Sequence, residues 1–176
     1  ANNPGVLLKQ AKRASKSSDL KDVRDKLTDL IQQSLAKNIP INHIASIAGE
    51  INIAISKRAI ELAIEKMETP PPTRFAWLNI GSQGRKEQLL KTDQDNALIF
   101  EDVPENQYEE VKTYFLSLAE KVTKTLNKVG YEFCPAQMMA NNPMWCKSLT
   151  DWKKQFNLWI NAPGDNGILM CSIFFL

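Results

Sequence analysis

Two carboxylates stand two residues apart just before an apolar stretch: Asp93 and Asp95 precede Asn96 and the run ALIF. On an extended chain, side chains at positions i and i+2 point to the same side. At about 5 Å and an effective dielectric constant of about 20, two such charges repel by roughly 3 kcal/mol. A divalent cation removes that repulsion, and Mg²⁺ or Mn²⁺ prefers oxygen ligands of this kind. The pair is therefore a candidate metal site.

A glycine–serine pair, Gly81-Ser82, precedes the aspartates, with ten residues between Ser82 and Asp93. Glycine lets the backbone approach an anion closely, and serine adds a hydroxyl and an amide N–H. If a helical turn begins at Gln83, its free N–H groups point at the same place and would form a phosphate cradle. Gly-Ser and Asp-x-Asp are each common in polar turns. Their joint order between two apolar stretches predicts a metal–nucleotide site, with a polar turn as the alternative.

The elements that must position these residues follow a break at three consecutive prolines, 70–72, which cannot continue a helix. We predict an N-terminal helical region over residues 1–69 and a second domain over residues 70–176. In the second domain the patterns predict strands at 75–80, 95–100 and 168–175, helices at 105–129 and 149–160, and a long loop at 131–147. This order predicts an α/β (α+β) domain behind the helical region.

The first 69 residues carry apolar side chains at helical spacing. Ser18 is a candidate N-cap for a helix whose apolar stripe includes Leu20 and Leu27. Pro40 fits the opening of the next helix, which is predicted to run to about Met67. We expect packing of these stripes to account for the region.

The composition is that of an ordinary globular protein, with 43% hydrophobic and 24% charged residues. A net charge of +2 is too small to indicate a nucleic-acid partner. No apolar run is long enough for a membrane span, and the N-terminus lacks the apolar core of a signal peptide. Three cysteines without a CxxC pair argue against a disulfide scaffold, so we expect a cytoplasmic protein. The one histidine, His43, lies in a helical pattern and is interpreted as structural.

Gly81-Ser82 followed by Asp93-x-Asp95 resembles the signature of the DNA-polymerase-beta-like nucleotidyltransferase superfamily. The stretch FAWLNIGSQGRKEQLLKTDQDNALIF is more closely similar to the nucleotidyltransferase domain of bacterial signalling proteins that carry cyclic-nucleotide-binding and CBS domains. That domain is similar to the nucleotidyltransferase domain of PII-protein uridylyltransferase. A second block, FCPAQMMANNPMWCKSLTDWKKQFNLWINAP, resembles the same family, so the resemblance covers roughly residues 20–175.

The resemblance implies a polymerase-beta-like fold with a mixed sheet, in which Gly81 and Ser82 hold a nucleoside triphosphate and Asp93 and Asp95 hold Mg²⁺. It implies transfer of a nucleoside monophosphate to an acceptor hydroxyl with release of pyrophosphate, in a protein whose other domains are regulatory. Near-neutral charge favours a protein or small-molecule acceptor over nucleic acid. A nucleotide-sensing or metal-sensing module without turnover is the alternative.

Four further residues of the two blocks are given roles. Arg85 contacts phosphate or forms a salt bridge within its loop, and Lys91 reaches a phosphate or is solvated. Trp145 is interpreted as a core residue and Cys146 as a small buried hydrophobic residue rather than a nucleophile.

A third acidic residue belongs to the superfamily's pattern, and the resemblance places it directly after Phe175. Leu176 stands at that position. We expect that the domain is truncated before its third carboxylate, and that a chain without it binds nucleotide weakly and turns it over poorly.

Overall fold

The computed structural model describes residues 3–80, 89, 93–161 and 170–175. An initial run of helices is followed by strands and further helices, so the predicted mixed α/β class is confirmed. In chain order the described elements are α1 (Pro4–Arg13), α2 (Ser17–Ala36), α3 (Ile41–Glu65), β1 (Phe75–Ile80), β2 (Asn96–Phe100), α4 (Glu105–Val129), a 3-10 helix (Pro143–Trp145), β3 (Cys146–Ser148), α5 (Leu149–Asn161) and β4 (Met170–Phe175).

The four described strands form one mixed sheet in the order β3-β2-β1-β4. β1 is antiparallel to both β2 and β4, whereas β3 runs parallel to β2. In the β1–β2 pair, Leu78 lies opposite Ala97 and Asn79 lies opposite Asn96. The mixed sheet implied by the resemblance is therefore present.

Both faces of the sheet are covered by helices. Because side chains alternate across a strand, Trp77, Leu98 and Phe100 face one side, where they join a core formed with α1 to α4. Leu78 and Ala97 face the other side and pack with Trp152 and other aromatic residues of α5. The Trp152 indole N–H donates to the Leu98 carbonyl at 2.9 Å, which fixes α5 on the sheet.

The three N-terminal helices bury their apolar stripes in the same core as α4. Leu27 of α2, Ile55 of α3 and Phe115 of α4 have no exposed surface. Phe115 also stacks on Phe100 with ring centroids 5.3 Å apart, so this core reaches the sheet. Packing of amphipathic stripes, as expected, accounts for the helical region.

The start of α2 differs from the prediction that Ser18 is its N-cap. The helix begins at Ser17, and Lys16 occupies the cap position without a side-chain cap. The Asp19 carboxylate instead accepts from the backbone N–H of Ser15 at 3.0 Å and from its hydroxyl at 3.1 Å. Those hydrogen bonds lower the pKa of Asp19. Asp19 of the first turn thus bonds to the residue before the cap position, and Ser18 lies inside the helix.

The start of α3 and the end of α4 follow the predicted signals, whereas α3 ends earlier than predicted. α3 begins directly after Pro40, and α4 ends just before Gly130, whose φ of 126° is accessible mainly to glycine. α3 ends at Glu65 rather than at about Met67. The N–H groups of Lys66 and Met67 bond to carbonyls three residues back, which tightens the last turn.

The prediction of an uninterrupted loop at 131–147 is wrong in its last part. That part contains the 3-10 helix and β3, in which Cys146 pairs with Leu98 and Ser148 with Phe100. A three-residue strand carries too few residues for a recognisable period of two, so the sequence pattern could not show it. β2 begins at Asn96 rather than at 95, and the predicted first residues of β4, 168 and 169, lie outside the described part of the chain.

Candidate active site

The segment before β2 places the two aspartates on one side of the chain. Asp93 and Asp95 are partly exposed, whereas Gln94 and Asn96 are 4% and 2% exposed. This alternation continues into β2. Asn96 lies on the same face of the strand as Leu98, and Asp95 precedes it on the face of Ala97. Both carboxylates therefore belong to the side of the sheet covered by α5, and both amides belong to the side of α4.

Asp95 lies directly beside the end of β1. The Ile80 backbone N–H donates to the Asp95 carbonyl at 2.8 Å, next to the Asn79–Asn96 pair. Ile80 is followed in the sequence by Gly81, so the chain enters the glycine–serine pair from the position next to Asp95. Gly81, Ser82, Arg85 and Lys91 themselves lie outside the described residues.

Asp93 is held by the loop that follows α4. It forms an isolated parallel bridge with Glu132, in which the Gln94 N–H donates to the Glu132 carbonyl at 2.7 Å. Two residues further along the chain, the Asn96 N–H donates to the Met138 carbonyl at 3.0 Å. The backbone of the aspartate segment is thus bonded to this loop on one side and to β1 on the other.

Two buried side-chain amides reinforce these contacts from the α4 side. Gln94 Nε2 donates to the Thr123 carbonyl at 2.8 Å and to the Tyr131 carbonyl at 3.0 Å. Its Oε1 accepts from Asn96 Nδ2 at 3.3 Å, and Asn96 Oδ1 accepts from the Ala140 N–H at 2.7 Å. Gln94 and Asn96 had no predicted role, although their alternation with the aspartates is visible in the sequence.

The donor set of Asp93 and Asp95 fits a hard divalent cation. Carboxylate oxygens are the ligands that Mg²⁺ takes when it also binds substrate phosphates. Within the described ranges, no three acidic, histidine or cysteine side chains are grouped so as to hold a metal by themselves. An ion bound by this pair alone would need further ligands from elsewhere.

The register of β4 bears on the expected third carboxylate. Met170 pairs with Ile80, but Phe175 pairs with Ala76 at the other end of β1. At roughly 3.3 Å per residue, Ala76 is about 13 Å along the strand from Ile80. Phe175 therefore lies at the end of β1 away from Asp95.

Three other residues from the sequence analysis have clear positions. Cys146 is fully buried, and desolvation raises the pKa of its thiol to about 12, so the sulfur is protonated at neutral pH. Trp145 is partly buried and packs on Trp152 and Trp159 with ring centroids 6.0 and 5.9 Å apart. His43 is exposed on α3.

A cleft of about 500 Å³ lies along the loop that holds the aspartate segment. It is lined by Glu120 of α4 and by polar and apolar residues of the loop, including Gln137 and Asn142. Asn141 Nδ2 donates to Glu120 Oε2 at 2.9 Å, and this bond lowers the pKa of Glu120. The cleft and the aspartates therefore share one supporting loop.

Comparison with known families identifies a nucleotidyltransferase family. The family model described as "Putative nucleotidyltransferase DUF294" matches residues 25–166. No curated protein and no solved structure matches the chain.

None of the helices in the described ranges combines the length and apolar character needed to span a membrane.

Proposed function

This chain belongs to the DUF294 nucleotidyltransferase family, and we propose that it transfers a nucleoside monophosphate from a nucleoside triphosphate to an acceptor hydroxyl, with release of pyrophosphate. The family supplies the general role of a nucleotidyltransferase. The metal, the reaction and the residues given below are our proposal.

Asp93 and Asp95 hold Mg²⁺ or Mn²⁺ in this proposal. The ion supplies positive charge to the phosphates and to the leaving pyrophosphate. Gly81 and Ser82 hold the triphosphate, and Arg85 and Lys91 contact its oxygens. The oxygen of the acceptor hydroxyl forms a bond to the α-phosphorus and its proton passes to solvent. The bond from that phosphorus to the bridging oxygen breaks, and its electron pair leaves on pyrophosphate.

The observation that carries this proposal is the hydrogen bond between the Ile80 N–H and the Asp95 carbonyl. It puts the residue before Gly81 beside the backbone of Asp95, which supports a phosphate site next to an ion on Asp93 and Asp95. A glycine–serine pair leaving from the other end of the sheet would not support a shared site.

The proposal is tested in a chain extended past residue 176 and supplied with cell extract as the source of acceptor. Pyrophosphate release is measured with each of the four nucleoside triphosphates, with Mg²⁺ and with a chelator. Asp95→Ala should abolish release, because one of two metal ligands is lost. Asp29→Asn removes a carboxylate from the exposed surface of α2 and serves as the control, with release within twofold of the wild type. Unchanged release in Asp95→Ala would refute the assignment.

A sensing module without turnover is the second candidate, favoured by the β4 register, which separates the end of that strand from Asp95. Thermal shift distinguishes the two functions. A triphosphate with Mg²⁺ at 100 times its dissociation constant stabilises the protein by about 2.7 kcal/mol. Such a shift without pyrophosphate release favours sensing, and a shift with release favours transfer.

The wider setting follows from the resemblance to signalling proteins. We place the reaction in the cytoplasm, next to regulatory domains of a larger protein, with a protein or small molecule as acceptor. Incubating the chain with radiolabelled triphosphates and separated cell fractions would show whether label is transferred to protein or to small molecules.

A further inference from the structure

The side-chain amides of Gln94 and Asn96 form a hydrogen-bond network behind the aspartates, which we term the lock. We propose that Gln94 and Asn96 are positioning residues, which hold Asp93 and Asp95 at the spacing that one divalent ion requires. This role rests on the proposed function of the aspartates. Gln94 and Asn96 are buried on the opposite side of the chain, so they act through the backbone and touch neither metal nor nucleotide.

Only one orientation of the Gln94 side-chain amide satisfies its hydrogen bonds. Both protons of Nε2 are used, one on the Thr123 carbonyl and one on the Tyr131 carbonyl. Turning the amide over would direct Oε1 at those two carbonyl oxygens, which have no proton to offer. Oε1 is therefore left to accept from Asn96, as observed.

The lock joins three segments that are distant in sequence. Gln94 bonds to α4 and to the loop after it, and Asn96 bonds to the Ala140 N–H of that loop. Ile80 of β1 holds the Asp95 carbonyl between them. Mg²⁺ demands near-ideal octahedral geometry. Its ligands must be held to within about 0.5 Å, and contacts of this kind provide that support.

The helical region supports the lock through Tyr131. Its hydroxyl donates to Asn52 Oδ1 of α3, and Arg24 of α2 lies over its ring at 4.9 Å. The Tyr131 carbonyl that Gln94 uses is thus held by residues from two N-terminal helices.

The test uses Gln94→Glu, which keeps the shape of the side chain but puts oxygen where Nε2 now donates. The added negative charge and the loss of aspartate positioning predict opposite changes in Mn²⁺ affinity. A further negative charge near Asp93 and Asp95 would strengthen cation binding by itself. An ionised glutamate offers the Thr123 and Tyr131 carbonyls no proton, and a protonated one offers only one, so at least one of these two hydrogen bonds is lost. Our proposal therefore predicts that Mn²⁺ binds at least tenfold more weakly, measured with ATP present by the electron paramagnetic resonance of free Mn²⁺.

Amide hydrogen exchange at Ala140 supplies a second readout that needs no metal. In Gln94→Glu the Ala140 N–H should exchange at least tenfold faster. Asn96→Asp keeps the acceptor for this N–H but loses the donor to Gln94, so Ala140 should stay protected while Mn²⁺ binding weakens. Val111→Ala, a core change on α4 about 18 Å from Thr123, controls for general loss of stability and should alter neither readout by more than twofold.

The possible outcomes separate the two proposals. Absence of Mn²⁺ binding to the wild type with ATP would refute the proposed function, and the positioning role with it. Wild-type binding together with equal or tighter binding in Gln94→Glu, or with unchanged exchange at Ala140, would refute the lock alone. If Gln94→Glu does not fold, Asn96→Asp decides through Mn²⁺ affinity.

Discussion

A buried thiol shows how position decides chemistry at the scale of single residues. Cys146 lies in β3 opposite Leu98, and its pKa is raised to about 12 by burial. Since the thiolate is the reactive form, Cys146 is inert in the folded protein. We predict that iodoacetamide at pH 8 leaves Cys146 unmodified in the native state and modifies it in urea, as measured by mass spectrometry of its peptide.

The matched variant is Cys146→Ala, which removes the sulfur with a small change of volume. It should leave pyrophosphate release within twofold of the wild type. Rapid alkylation of Cys146 in the native protein, or loss of release in Cys146→Ala, would contradict this interpretation.

The sequence predicted the same-side arrangement of Asp93 and Asp95 because spacing along an extended chain is a local property. It did not predict the roles of Gln94 and Asn96, whose partners lie 29, 37 and 44 residues away. Such contacts depend on how α4 and its following loop return to the sheet. The assignment of Gly81 and Ser82 to phosphate, and of both aspartates to metal, stays a prediction.

At the scale of elements, the start of α5 combines a local cap with one from a distant residue. α5 begins after Ser148, whose hydroxyl accepts from the Asp151 N–H at 3.2 Å, a local cap of the usual kind. Its first turn is also bonded by Asp102 from the end of β2, through the Thr150 N–H at 3.0 Å and hydroxyl at 2.7 Å. The sequence predicted α5 from its own residues, but a cap from elsewhere in the chain has no local signature.

Asp102 gives the stability of the protein a specific dependence on pH. Hydrogen bonds from Thr150 lower the pKa of Asp102 below its ordinary value of 3.8. A carboxyl group with a lowered folded-state pKa stabilises the fold above its unfolded pKa, and this contribution is lost as pH falls through the folded value. We therefore predict that Asp102→Asn is less stable than the wild type at pH 7 and that the difference shrinks towards pH 2.

Urea unfolding at a series of pH values measures this difference. Asp29→Asn on α2 serves as the comparison for loss of a surface carboxylate. A gap between Asp102→Asn and the wild type that is constant from pH 7 to pH 2 would show that the carboxylate is not acting as a charged cap.

At the scale of the whole molecule, the helical region and the sheet share one hydrophobic core. Ile55 of α3, Phe115 of α4 and Trp77 of β1 belong to the same buried cluster. The division into residues 1–69 and 70–176 rests on the proline run and stays a prediction about chain organisation. A shared core predicts that the two parts unfold together.

The tryptophans provide a probe for this cooperativity. All four lie after the proline run, at positions 77, 145, 152 and 159, whereas α1 to α3 contribute much of the helical circular dichroism. Ile55→Ala removes a fully buried side chain from α3 and should cost about 2–5 kcal/mol, or roughly 4–20 °C in melting temperature. Because the core is common, we predict that tryptophan fluorescence and circular dichroism shift by the same amount. Val6→Ala, at an exposed position of α1, should move neither curve by more than about 2 °C. A shift in circular dichroism without a shift in fluorescence would show that the helices unfold as an independent domain.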